Sequence, residues 1–183
     1  MTYLPESGTL TQPEKRKEVL EDNARKFTAE MLEPALLEEL GASGYILMTD
    51  WLETGEENEK KIVHKRFDNG DTQILLISKA TKDGHRIAEK EKITEEQYRE
   101  LLPLSILHLE KKRYEFGYTQ NDINFFMKYD EFANTQLRIL EVDASDENSR
   151  NAFSPKDFSD ELSEVTGNRQ YYGYRVADIA LPA

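Results

Sequence analysis

The sequence predicts an α+β, mainly β fold: an eight-stranded antiparallel barrel closed into a tunnel, with short helices inserted between strands. Three observations predict it. Seven or eight stretches rich in aromatic and β-branched residues recur along the 183 residues; most connections between them are too short for parallel crossovers; and several stretches place charged residues two apart. Strand side chains alternate between faces, so each such pair points the same way. The pairs are His64 with Arg66, Glu89 with Glu91, Lys111 with Arg113, Lys128 with Asp130 and Glu141 with Asp143, and Lys79 closes another strand. Their signs segregate largely by strand, as a closed sheet would require to hold an anion and its metal ions inside. An eight-stranded barrel encloses about enough space for side chains or one small ligand.

The elements follow in order. Residues 1–13 form a flexible N-terminal tail without periodicity, and 14–183 form a single domain. Glu14 to Lys26 is charged throughout, as a helix or as a lead-in to the first strand. Pro34 to Leu40 is a short helix stopped by Gly41. Gly44 to Leu52 is a strand, and the acidic Thr54 to Glu59 a loop. Lys61 to Phe67 and Thr72 to Lys79 flank Asp68-Asn69-Gly70-Asp71, whose Asn-Gly is a tight-turn signal. A loop at Asp83-Gly84 leads into the strand Ile87 to Ile93. Thr94, with Gln97 three residues on, opens a helix through a capping box, and Tyr98, Leu101 and Leu102 supply its apolar stripe. His108 to Tyr118, Ile123 to Phe132 and Leu137 to Ala144 are strands. Asp146 to Asn151 is a polar loop, Ser154-Pro155 begins a helix through Leu162, and Tyr171 to Leu181 closes the chain.

Composition narrows the chemistry. One domain of this length buries a real core. There is no cysteine and there are only three histidines, which excludes disulfides, thiolate catalysis and Cys-rich zinc sites. A net charge of −12 argues against nucleic acid as the main partner. Met1 to Pro13 lacks an apolar core, and no stretch is apolar enough for a membrane span, so the expected location is cytoplasmic, with no membrane partner. Phosphate loops, GxGxxG turns, GxSxG elbows and HExxH pairs are all missing.

The charged pairs are therefore the candidates. Two carboxylate pairs converging in a barrel would suit magnesium or manganese, which take oxygen ligands. Lys and Arg together suit polyphosphate, the one as a point charge and the other as a planar fork. Each pair also has a plainer explanation. Glu89-Lys90-Glu91-Lys92 taken alone reads as a solvated edge strand, and isolated surface ion pairs are worth only about 0–1 kcal/mol.

Leu140-Glu141-Val142-Asp143, Phe158, Glu164-Val165-Thr166-Gly167-Asn168 and Tyr171 resemble the C-terminal signature of the CYTH domain, the triphosphate tunnel metalloenzyme family. Lys111-x-Arg113-Tyr114, Tyr129-Asp130-Glu131-Phe132, Lys79 and Tyr45-Ile46-Leu47 fall in the family's order, and the resemblance spans roughly residues 22–180. It implies an eight-stranded tunnel acting on triphosphate with Mg2+ or Mn2+. By position, Lys26, His64, Arg66, Lys79, Lys111 and Arg113 would bind phosphates. Glu89, Glu91, Glu141 and Asp143 would ligate metal, with Glu89 and Glu141 catalytic. The sequence departs from the family where its opening Glu-x-Glu-x-Lys is matched by Asp22-Asn23-Ala24-Arg25-Lys26, and where His64 replaces an arginine. The resemblance leaves three activities open: hydrolysis of inorganic, nucleoside or thiamine triphosphate; polyphosphate or nucleotide binding without turnover, as in a sensor; and adenylate cyclase of the CYTH class. A homodimer would form through the tunnel's outer face.

Overall fold

A computed structural model describes residues 17–18 and 24–179; the expected tail at 1–13 lies outside them. The described elements are β1 (Lys17–Glu18), β2 (Arg25–Thr28), α1 (Pro34–Glu39), β3 (Ser43–Glu53), β4 (Asn58–Phe67), β5 (Thr72–Lys82), β6 (His85–Lys92), α2 (Glu95–Leu101), β7 (Leu107–Gln120), β8 (Ile123–Phe132), β9 (Arg138–Asp143), α3 (Glu147–Asn151), α4 (Pro155–Phe158), β10 (Ser163–Glu164) and α5 (Gly173–Ile179). They form one antiparallel sheet in the order β1-β6-β5-β4-β3-β7-β8-β9-β2-β10.

The sheet has ten strands, not eight, and among the described residues no ladder joins its two ends. The ends are β1, paired with β6, and β10, paired with β2. One edge of β2 pairs with β9, from Arg25 opposite Val142 to Thr28 opposite Ile139. The other pairs with β10 and continues past it: Val165 N donates to the Lys26 carbonyl at 2.7 Å, and Lys26 N donates to the Thr166 hydroxyl at 2.9 Å. The C-terminal Glu-Val-Thr element thus extends the sheet one short strand beyond β2.

Local chemistry explains most boundaries. At the β4–β5 hairpin, Gly70 takes a φ of +88°, which a Cβ would disfavour, and Asn69 Oδ1 accepts from Asp71 N at 3.0 Å. Thr94 and Gln97 complete the capping box of α2. The polar loop expected at Asp146 to Asn151 is a helix instead, because Asp146 accepts from Ser149 N and caps it. The loop expected to end at Glu59 gives way to β4 at Asn58, which puts Glu59 in the ladder. The helix begun at Pro155 stops at Phe158, short of Leu162.

Two faces result. On the outer face, Phe27, Phe116, Met127, Tyr129, Leu140 and Val142 pack with Leu37 of α1 and with Phe153, while Ile62, Ile74 and Ile93 pack under Tyr98 and Leu101 of α2. On the inner face, Tyr45, Leu47, Val63 and Ile77 form a small cluster. Trp51, Leu109, Phe132 and Ile139 close over Val176 and Ala177 of α5, which covers one end of that face. No helix among the described residues is long and apolar enough to cross a membrane.

Candidate functional site

Register decides which charges share the inner face, because residues opposite one another in a ladder point the same way. Trp51 lies opposite Leu107 and Lys61, and Lys61 opposite Ile77. Lys79 lies opposite Glu59, Leu47 opposite Lys111, and Tyr45 opposite Arg113. Arg113 lies opposite Asp130, and Lys26 opposite Glu141. The inner face therefore carries Lys26, Lys61, Lys79, Lys111 and Arg113 together with Glu59, Asp130, Glu141 and Asp143. Twisted sheets of this size curl, and here Lys61 of β4 feels the charges of both Lys79 of β5 and Lys111 of β7.

Asp130 is the hub. Its carboxylate is 1% exposed and accepts from Lys111 Nζ at 2.5 Å, Arg113 Nε at 2.6 Å and Arg113 Nη2 at 2.6 Å. Burial works to raise this carboxyl, but the two cations hold it ionised and below the usual carboxylate range. Arg113 is held in its charged form: burial opposes the charge and Asp130 more than restores it. Lys111 is pushed down, first by burial and then by Arg113, because one carboxylate is shared between two cations. Arg113 Nη2 also lies 3.7 Å from Glu141 Oε1, and Lys26 Nζ lies 3.9 Å from the same oxygen.

A second centre forms at β4. Glu59 Oε1 accepts from Lys61 Nζ at 2.6 Å and from the Trp51 indole at 2.9 Å. Burial works to raise the Glu59 carboxyl, and the Lys61 charge overrides it, holding it at about 2. Burial, and then the neighbouring Lys79 charge, push Lys61 down to about 8. At the β7 end, the Tyr45 hydroxyl donates to Glu115 at 2.8 Å; burial first, and that bond second, hold the phenol proton on.

Six of the ten residues singled out from the sequence lie on this face: Lys26, Lys79, Lys111, Arg113, Glu141 and Asp143. The other four, His64, Arg66, Glu89 and Glu91, are on the outer face. His64 lies between Met48 and Ile74, its ring edge-on to Tyr98 of α2 at 5.3 Å, with both ring nitrogens buried and without a hydrogen-bond partner. Arg66 is exposed. Glu89 and Glu91 lie opposite Ser78 and Leu76, so β6 turns Ala88, Lys90 and Lys92 inward instead. Pairing fixes that two residues share a face but not which face. The deciding signal was Ile93: it has the parity of Glu89 and Glu91, and it packs under the helix that follows. Sequence reasoning missed Glu59, Lys61 and Lys90, and it noted Asp130 as the pair of Lys128 without giving it a role. Trp51 and the paired Lys128–Asp130 were visible, but their partners depend on cross-strand register.

The resemblance found in the sequence implies a divalent ion, and the donors among the described residues do not gather to hold one. Among the described residues no three Asp, Glu or His converge on a point. Asp143 accepts from Arg150 at 3.2 Å, Glu141 faces two cations, and Glu89 and Glu91 are across the sheet. Ala24, two residues before Lys26, offers no side-chain donor atom.

No protein-family model and no curated protein matches the chain. Solved structures do. The inorganic triphosphatase NE1496 superposes with a TM-score of 0.59 at 21% identity, covering 84% of this chain and 92% of that one. PH1819 from Pyrococcus horikoshii OT3 superposes with a TM-score of 0.52 at 14% identity, covering 76% of this chain and 93% of that one. At these identities the likeness is one of fold.

Proposed function

We infer that this chain is a divergent member of the CYTH, or triphosphate tunnel metalloenzyme, family, and that its inner face binds a triphosphate or a related polyanion. The observation that carries this reading is the convergence of Lys61, Lys79, Lys111 and Arg113 on one face of the sheet, interleaved with Glu59, Asp130 and Glu141. A protein of net charge −12 repels anions at a distance. A buried cationic face inside it is costly unless it has a use, and low-dielectric walls concentrate its field. Arg113 offers a guanidinium already oriented by Asp130, and the lysines add adaptable point charges, a combination suited to phosphate oxygens.

Hydrolysis is the second reading. The fold is that of an inorganic triphosphatase, and Glu141 lies beside Lys26 and Arg113, where a carboxylate can orient a water next to a bound phosphate. Calorimetric titration with inorganic triphosphate, ATP and thiamine triphosphate tests the first reading, and phosphate release tests the second. The expected result is binding that weakens at least tenfold in Lys111→Ala and in Arg113→Gln. Release of phosphate that disappears in Glu141→Gln would establish turnover. Failure of every polyphosphate to bind would overturn both readings.

A further inference from the structure

At the end of the inner face away from α5, the ring of Phe126 is left open to solvent. Phe132, at the covered end, packs with Val176 and Ala177. Phe126 has the same parity on β8 and stands on the order of 20 Å from it at a strand's rise, 47% exposed. The other large hydrophobics exposed among the described residues, Met31, Leu104 and Ile106, lie outside the strands. The cross-strand neighbours of Phe126 leave its ring bare. On one side is Gly117, where a Cβ would meet nothing within 4 Å, and on the other is Asp143. Asp143 is half-exposed; Arg150 Nη1 and Ala144 N both donate to its Oδ1, at 3.2 and 2.9 Å. Lys128 Nζ stands 5.5 Å from the centroid of the Phe126 ring, and Lys128 lies opposite Glu115 and Glu141.

The rows of the ladder deeper on this face carry the charges. The first beyond Phe126 joins Lys128, Glu141 and Lys26, and the second joins Asp130 and Arg113. A single exposed apolar side chain is ordinary on a protein surface; here it stands at the mouth of a charged face, with the space beside it kept empty by a glycine. A flat ring in such a place suits a second ring stacked on it. The Asp143 carboxylate disfavours phosphate at this end, whereas Lys26 and Arg113 favour it one and two rows deeper. A ligand that spans both ends therefore lies with its ring on Phe126 and its phosphates toward Arg113. We propose that Phe126 is the stacking platform of a subsite for a planar heteroaromatic ring, so that the inner face prefers a triphosphate ester carrying such a ring, as a nucleoside or thiamine triphosphate does, over the ring-free anion. This rests on the polyanion-binding reading above and deepens it by naming the ligand class. The preference comes from the ring, so it does not depend on how far the acids of this face neutralise its cations.

The test is calorimetric titration of the full chain with ATP, thiamine triphosphate and methyl triphosphate, the last carrying the same phosphates without a ring. Wild type, Phe126→Ala, Phe126→Trp and Gly117→Leu are compared, with melting temperatures recorded for each. Wild type is expected to bind at least one of the two ring-bearing ligands at least tenfold more tightly than methyl triphosphate, and the tighter of the two identifies the ring. Phe126→Ala should bring that ligand down to the affinity of methyl triphosphate, Phe126→Trp should keep the preference, and Gly117→Leu, which fills the space beside the ring, should remove most of it. Equal binding of all three ligands by wild type overturns the proposal while leaving polyanion binding intact. A folded Phe126→Ala that keeps the preference, or that weakens all three ligands alike, also overturns it, the latter because the side chain would then act through packing. Absence of binding by every ligand removes the polyanion reading and this proposal with it.

Discussion

Asp130 carries more of the site's integrity than any cation that contacts it. Its carboxylate is buried and shared by Lys111 and Arg113, so its removal leaves two buried positive charges facing each other. Breaking a buried ion pair from one side costs about 3–5 kcal/mol. Asp130→Ala is expected to lose about that much in urea unfolding, whereas Arg113→Gln, which leaves Lys111 on the carboxylate, should lose less. Lys61 makes the site sensitive to pH. Its folded value of about 8 lies below the ordinary 10.5, so it sheds its proton as pH rises through about 8. A bound polyanion holds that proton on. Affinity for triphosphate is therefore expected to fall as pH climbs from 7 to 9, with proton uptake on binding in that window, and Lys61→Met should remove this step. Glu59 works in the opposite sense. Its folded value of about 2 lies below the ordinary 4.5, so the stability it contributes is fully present above about 4.5 and is lost as pH falls toward about 2.

At the scale of elements, α5 is held by close approach. A Cβ built on Gly173 would lie 3.1 Å from the Trp51 ring, and Trp51 in turn orients Glu59. Gly173→Val is expected to destabilise the fold by about 1–3 kcal/mol and to shift Trp51 fluorescence, which checks whether the helix end and the Glu59–Lys61 centre move together. Much at this scale could be read from the sequence. The strand Ile123–Phe132 and the Thr94 cap came out as expected because alternation and capping are local rules. Lys111 and Arg113 could be recognised as partners for the same reason. Whether they met His64 and Arg66, or instead Lys61 and Lys79, depended on which parity of β4 turned inward. That is settled by the burial of Ile62 and Ile74 under α2, a long-range fact. The strand beyond β2 depended on a pairing 140 residues apart, Lys26 with Thr166, which no local pattern encodes.

The molecule as a whole is acidic, with a basic interior face. Binding driven by that face should weaken only modestly with salt, because buried contacts are screened far less than exposed ones and salt also screens the net charge that repels the ligand at long range. Outer-face Arg66→Ala, by contrast, should leave affinity within about twofold of wild type. The most direct check of the central claim is the dissociation constant of inorganic triphosphate from the full chain, measured by calorimetry at pH 7 for wild type and for Lys111→Ala. Saturable binding to wild type, weakened at least tenfold in the variant, is the predicted result. Absence of binding to wild type, or equal binding by the two, would contradict it.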